Sequence, residues 1–272
     1  MSLLIVSGLA LLFAAWLLSE PYVVERRRRS VRRRPFPAAW RDILRRRVPY
    51  LRRLPADLQI QLRKHIQVFV AEKAFVGCNG LVVTDEMRVT IAAQACLLIL
   101  NRPTGFFPNL RQILVYPGAF IVDRIQTDGV GVLQEQRQVL SGESWSQGQV
   151  ILSWEDALEG AAIDDDGRNV VIHEFAHQLD QESGHANGAP LLARREHYEP
   201  WSQVLGEEFG RLQDEARNGQ PTLFSHYGAT SPAEFFAVVS EVFYEQPQRM
   251  AAEHPALYRE LGRYYRLDPL SW

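Results

Sequence analysis

Apolar and polar positions alternate with helical spacing at both ends of the chain and with strand spacing only in its middle. Residues 112–122 and 130–154 contain short apolar runs separated by glycine- and serine-containing turns, a pattern that predicts strands. Helical spacing recurs over 54–76, 85–100, 200–217, 232–245 and 254–264. Helices, then a small sheet, then helices predict an α+β fold.

The first residues carry a different pattern. Residues 2–19 are uncharged and almost entirely apolar, which reaches the lower length of a membrane-spanning helix. A signal peptide is the alternative, but it requires positive charge before the apolar run and a small-residue cleavage site, and neither is present. We therefore expect a transmembrane helix over residues 1–20.

Charge is divided unevenly along the chain. Residues 1–53 hold thirteen arginines and three acidic residues, whereas residues 54–272 hold 17 basic and 29 acidic residues. An arginine run beside an apolar helix indicates a positive-inside signal that lies against anionic lipid headgroups, and no nucleic-acid partner is expected. We predict an Arg-rich stalk or linker over 21–53, irregular over 36–53, and a main domain over 54–272. Cys78 and Cys96 lack metal-type spacing and indicate free thiols in a reducing compartment.

The segment from Asn169 to Leu179 contains the pattern His-Glu-x-x-His. His173 and His177 are four residues apart, so on a helix they share a face and can bind one metal ion. Glu174 then lies where it can deprotonate a water on that ion. A surface histidine pair is the alternative, but the segment is mostly apolar, and the acidic run 164–166 upstream offers an N-cap. The pattern therefore predicts a zinc hydrolase.

A catalytic zinc ion usually has a third protein ligand. The metzincin spacing is excluded, because Asp180 and Ser183 stand where that class needs glycine and histidine. Glu196 is near the spacing of a thermolysin-like ligand, but it lies in a charged stretch typical of solvated surface.

A later helix offers another pair of carboxylates. Ser231 and Pro232 are typical of a helix start, and the helix that follows is strongly apolar. Glu234 and Glu241 are seven residues apart on one face of it, and buried carboxylates need a partner, which a zinc ion with two imidazoles supplies. A capping-box role is the alternative for Glu234.

Five segments together resemble the MtfA family of zinc peptidases, which is related to the anthrax lethal factor catalytic domain. They are residues 113–122, 140–148, 150–154, 173–180 and 227–243. The resemblance implies a zincin-like domain that binds one Zn²⁺ through His173, His177 and Glu234. It also implies that Glu174 is the general base and that Tyr227 faces the metal.

Other residues near these motifs have expected supporting roles. Tyr227 would donate a hydrogen bond to the oxyanion, with a packed aromatic as the alternative. Asp180 would accept a hydrogen bond from a ligand imidazole, with an exposed helix carboxylate as the alternative. Glu241 would also accept a hydrogen bond from a ligand imidazole, with a hydrogen bond to backbone as the alternative. The strand at 150–154 is expected to be an edge strand that pairs with the substrate backbone.

Two functions follow from these observations. The first is a membrane-tethered zinc peptidase that hydrolyses a peptide or protein substrate, with its catalytic domain in the cytoplasm and a single helix in the bacterial inner membrane. The second, implied by the family, is a regulatory protein that sequesters an Mlc-like transcriptional repressor and has low or latent peptidase activity. Glu174 favours the enzyme, because a structural zinc site has four protein ligands and no base. The candidates for a fourth ligand are His185, His197 and His226.

Overall fold

The structure, a computed structural model, describes Ser7 and residues 19–103, 105–127, 133–140, 142–145 and 148–272. The apolar run at 2–19 lies almost entirely outside these residues, so the transmembrane helix stays a prediction. Within the described part of the chain, no helix combines the length and the apolar character needed to cross a membrane.

The arginine-rich segment is helical. Helix α1 covers residues 19–32, α2 covers Ala38–Arg47, and a 3₁₀ turn covers Pro49–Arg53. The irregular connection predicted over 36–53 is therefore wrong. Val48 and Leu51 of this segment and the following Leu54 are buried in the main core, and Ile43 is buried too, while the arginines between them extend toward solvent. The division into anchor, stalk and main domain remains a prediction.

A four-stranded sheet lies in the middle of the chain, in the order β1-β2-β6-β5. Strands β1, β2 and β6 are parallel, β5 is antiparallel to β6, and β3 and β4 form a separate antiparallel hairpin. The strands are β1 Ala74–Gly77, β2 Gln112–Tyr116, β3 Phe120–Thr127, β4 Leu133–Leu140, β5 Gly142–Trp145 and β6 Gln149–Ser153. The helix predicted to continue to residue 76 ends at Glu72, because the next residues pair with β2.

The edge strand is not the one that the sequence suggested. Strand β6 lies between β2 and β5, so the prediction that residues 150–154 form an edge is wrong. Val150, Ile151 and Leu152 are all buried, as expected for a central strand that is covered on both faces. The sheet ends at β5.

The remaining helices pack mainly against one another. They are α3 Ala56–Glu72, α4 Asp85–Leu97, α5 Trp154–Ala162, α6 Val170–Asp180, α7 Tyr198–Arg217, α8 Pro232–Glu245, α9 Pro247–Glu253 and α10 Pro255–Tyr265. Helices α5 and α6 also pack against strands of the sheet. Phe175 of α6 packs against Phe69 and Phe107, with ring centroids 5.6 and 4.9 Å away, so α6 is anchored in the core. The predicted α+β class is confirmed.

Candidate metal centre

The two histidines of the His-Glu-x-x-His pattern lie on one face of α6. The helix begins at Asn169, whose side-chain Oδ1 accepts a hydrogen bond from the amide of Ile172 at 3.0 Å. The acidic run 164–166, expected to cap this helix, lies upstream of the true N-cap. His173 and His177 follow one turn apart, with ring centroids separated by 4.9 Å.

Helix α8 brings a carboxylate to this pair. Its N-cap Ser231 accepts a hydrogen bond from the amide of Glu234 at 3.2 Å, which places Glu234 in the first helical turn. The Oε2 atom of Glu234 lies 3.0 Å from Nε2 of His173 and 3.3 Å from Nε2 of His177. These three ligand atoms lie within 4.8 Å of one another, and they form the one such group found among the described residues. Two imidazoles and a carboxylate fit a catalytic metal ion with an open position.

Glu241 orients the first imidazole. Its Oε1 atom lies 2.7 Å from Nδ1 of His173, so a proton on Nδ1 is donated to Glu241 and the Nε2 lone pair is left for the ion. Burial lowers the pKa of His173, but Glu241 and the other nearby carboxylates outweigh burial and raise this pKa well above its usual value. Burial raises the pKa of Glu234, yet its hydrogen bonds to both imidazoles lower it overall.

Asn169 connects the supporting residues. Its backbone amide donates to Oε2 of Glu241 at 2.5 Å. Its side-chain amide lies 2.9 Å from Oε1 of Gln94, 2.9 Å from the carbonyl of Gly160 and 3.0 Å from Oε1 of Glu245. The residue that caps α6 thus also fixes the carboxylate that orients His173. The sequence contained one signal for it, an asparagine immediately before the apolar helix.

Replacing Glu241 by Gln is expected to weaken metal binding by about 10–100-fold. The glutamine must turn an amide group toward either the imidazole or the Asn169 amide, so one of two hydrogen bonds is lost. Competition with a chromophoric chelator measures the affinity. Glu253→Gln on α9, which changes an exposed carboxylate, is the matched control. Equal affinity in the two variants would contradict the role given to Glu241.

Glu245 is expected to make stability depend on pH. Burial, then the charges of Glu241 and Asp166, raise the pKa of Glu245 to about 8. Since this folded-state pKa exceeds the unfolded value of about 4.5, the contribution to the free energy of unfolding is complete below pH 4.5 and is lost as pH rises to about 8. Urea unfolding across this window should show a decline of up to about 1.4 kcal/mol for each pKa unit of difference. Glu245→Gln should flatten that decline, and an unchanged slope would contradict the assignment.

Glu174 lies beside the edge strand. Its side chain is buried, and Gly142, the first residue of β5, approaches it closely. A Cβ atom at position 142 would lie 2.6 Å from Oε1 of Glu174 and 2.7 Å from Cγ2 of Val170. The strand can therefore pass so close to α6 only with glycine at this position. No local pattern in the sequence indicates this contact.

Tyr227 lies at the mouth of the site. It belongs to the 3₁₀ turn His226–Ala229, and its ring centroid is 6.0 Å from that of His173. Its side chain is exposed, and it lines a cleft of about 430 Å³ together with His173, Glu174 and Gly142. Its catalytic role stays a prediction.

Asp180 supports the segment that follows α6. Its Oδ2 atom accepts a hydrogen bond from the amide of Gly188 at 2.7 Å, and burial raises its pKa. Because Asp180 is completely buried, the alternative of an exposed helix carboxylate is wrong, whereas a hydrogen bond from an imidazole to Asp180 stays a prediction.

The other candidate ligands lie outside the group of three. Nε2 of His226 is 3.0 Å from the carbonyl of Gln220. His185 is exposed and His197 is half-buried. Glu196 is exposed on the surface near Arg194, with 3.2 Å between the charged groups.

Comparison with known proteins agrees with this geometry. The profile of the family described as glucose-regulated metallo-peptidase M90 matches residues 23–266. The uncharacterized protein slr2042 of Synechocystis is 42% identical over 94% of both chains. A protein named Mlc titration factor A from Klebsiella pneumoniae is 36% identical over 82% of this chain and 84% of its own. A protein of the same name from Yersinia pestis is 33% identical over 86% of each.

Proposed function

The chain belongs to the glucose-regulated metallo-peptidase M90 family, and from this premise we propose that it is a zinc-dependent peptidase. The predicted relationship to the MtfA family is thereby confirmed. His173, His177 and Glu234 would hold the ion in a zincin-like domain, and Glu174 would be the general base.

The main support for this proposal is the convergence of three ligand atoms. Two imidazole nitrogens and one carboxylate oxygen converge within 4.8 Å, and Glu241 orients the first imidazole from behind. Two histidines and one glutamate are a ligand set of catalytic zinc, which leaves a position open for substrate or water. A purely structural site has four protein ligands, and the described group has three.

The residues of the chain divide the remaining tasks. When bound, the zinc ion supplies Lewis acidity that polarises a peptide carbonyl and makes water more acidic. Glu174 takes the proton from the attacking water and passes it to the departing amine. Tyr227 donates a hydrogen bond to the oxyanion that develops. Strand β5, at the end of the sheet, pairs with extended substrate backbone.

The proposal is tested with the full chain in detergent micelles. A shorter chain that starts at Pro55 would lose Val48, Leu51 and Leu54 from the core. A mixed peptide pool is incubated with zinc-loaded protein, with protein stripped by a chelator, and with stripped protein to which zinc is restored, and products are identified by mass spectrometry. Cleavage that disappears with the metal and returns with zinc supports the proposal. Firm binding of zinc without cleavage would argue against a peptidase.

Replacing Gly142 by Ala is expected to lower the rate of hydrolysis by roughly 100-fold, because misplacing a catalytic group by about 1 Å costs that much. The new methyl group would press on the Glu174 side chain and on Val170 rather than on the three metal ligands. Zinc affinity should therefore change little, which metal analysis checks. Gly206→Ala on α7, where an added Cβ meets no atom within 4 Å, is the control. A normal rate for Gly142→Ala would mean that Glu174 need not occupy this position.

A second candidate function comes from the relatives. Two of them are named Mlc titration factor A, so we also propose that this chain binds an Mlc-like transcriptional repressor. Titration of the full chain into a purified repressor of that class, followed by calorimetry, tests this. A stoichiometric complex that also forms with Glu174→Gln would separate binding from catalysis, and no complex would remove the candidate.

We further propose that the protein is anchored in the bacterial inner membrane with the main domain in the cytoplasm. The apolar run before the arginine-rich helix α1 supports this placement. Protease treatment of intact and of permeabilised cells tests it: digestion of the main domain before permeabilisation would contradict the orientation.

A further inference from the structure

A second cavity, of about 480 Å³, lies away from the cleft that contains Tyr227. Three segments enclose it: the turn that follows α4 and contains Arg102, the loop at residues 191–197, and helix α10. Arginine side chains dominate its polar wall: Arg102, Arg194, Arg263 and Arg266.

Arg102 has one buried donor without a hydrogen bond, although the Tyr264 side chain and the Glu182 carboxylate lie near enough to interact with its charge. Its guanidinium carbon lies 3.9 Å from the centroid of the Tyr264 ring, so the charge is held over an aromatic face. Its Nη1 atom is buried and forms no hydrogen bond with any residue that the structure describes. A buried charged donor is costly to leave unpaired, so an acceptor from a ligand would stabilise it.

The carboxylates around the cavity do not neutralise it. Nη1 of Arg263 lies 2.7 and 2.8 Å from the two oxygens of Glu260, so that glutamate is already paired. Glu182 also lines the cavity, but within the described residues neither Arg102 nor Arg266 has a carboxylate within ion-pair distance. The cavity therefore retains positive charge.

Apart from the charged residues and His197, the wall is apolar or aromatic. Leu192, Trp201 and Tyr264 face the same space as the arginines. Trp201 is fixed there because its Nε1 atom donates to the carbonyl of Gly188 at 3.0 Å. A rigid aromatic wall beside unpaired guanidinium groups suits a ligand with one apolar part and one negative end.

We propose that this cavity binds a small organic anion, whose carboxylate or phosphate group is held by Arg102 and Arg266. The planar guanidinium group matches both oxyanions and forms two parallel hydrogen bonds with either. The apolar part of the ligand lies against Trp201 and Leu192.

Isothermal titration of the full chain in detergent tests the proposal with three probes of similar size: phenyl phosphate, phenylacetate and neutral benzyl alcohol. We expect saturable binding of at least one anion and none of the alcohol. The anion that binds more tightly identifies phosphate or carboxylate as the preferred group. Failure of both anions to bind would overturn the proposal.

Small anions also bind metal ions, so three variants test whether the anion binds in this cavity or at the metal centre. Arg102→Gln should weaken it at least about tenfold, through loss of a charged hydrogen bond. Ala193→Trp, at an exposed position on the cavity wall, should block binding while leaving Arg102 in place. Arg259→Gln, which removes an exposed charge from the same helix α10, should have no effect. Unchanged anion binding in both Arg102→Gln and Ala193→Trp would place the anion elsewhere and overturn the proposal.

Discussion

Replacing Glu174 by Gln is expected to lower the rate of peptide hydrolysis by about 10²–10⁴-fold while the protein keeps its metal ion. A glutamine has the same shape as the glutamate and fits the space beside Gly142, but its amide cannot accept a proton. Glu174 is not one of the three converging ligands, so zinc affinity should be nearly unchanged.

Rates measured on a defined peptide, together with metal content, test this expectation. Glu207→Gln, which alters an exposed carboxylate on α7, is the matched control and should keep full activity. If Glu174→Gln hydrolysed the peptide at the parent rate, another group would have to be the base. If it lost the metal as well, the residue would have a role in holding the ion.

Replacing Glu234 by Gln is expected to weaken zinc binding by more than the 10–100-fold that loss of a supporting residue costs, and activity should fall with it. The carboxylate oxygen lies within 3.3 Å of both imidazole nitrogens, and a neutral amide oxygen is a poorer partner for the ion. The N-cap of α8 is preserved, because Ser231 accepts its hydrogen bond from the backbone amide of residue 234.

Glu196→Gln is the informative comparison for this variant. Glu196 stands near the sequence spacing of a thermolysin-like ligand, yet its side chain is 68% exposed and lies outside the metal group. Chelator competition should therefore show parent-like zinc affinity for Glu196→Gln and weak affinity for Glu234→Gln. The reverse result would mean that the third ligand has been misassigned.

Local pattern predicted the local features well. The spacing of His173 and His177 requires only one turn of helix, and Ser231-Pro232 marks a helix start within two residues. Both depend on interactions between residues three or four positions apart, which a sequence displays directly. The prediction of an irregular segment over 36–53 was wrong because local pattern shows only near neighbours. The frequent charges there obscure three buried apolar residues, Ile43, Val48 and Leu51, whose packing partners lie elsewhere in the chain.

The order of strands in the sheet could not be predicted from local sequence pattern. The centre of strand β6 is a run of three apolar residues, which is compatible with several positions in a sheet, and only pairing with β2 and β5 makes the strand central. Gly142 likewise looks like an ordinary turn residue until the strand that it begins is placed against Glu174.

The order of residues already specifies the chemistry of the site: two imidazoles on one helical face, an adjacent base, and two carboxylates on one face of a later helix. The tertiary structure alone decided that α6 and α8 meet, so that Glu234 reaches both histidines and Glu241 binds the back of one. It also decided that Asn169 joins α4, α5 and α8 behind them. The physical reason is that helix and cap preferences act over a few residues. The convergence of groups about sixty residues apart depends instead on how whole apolar faces pack.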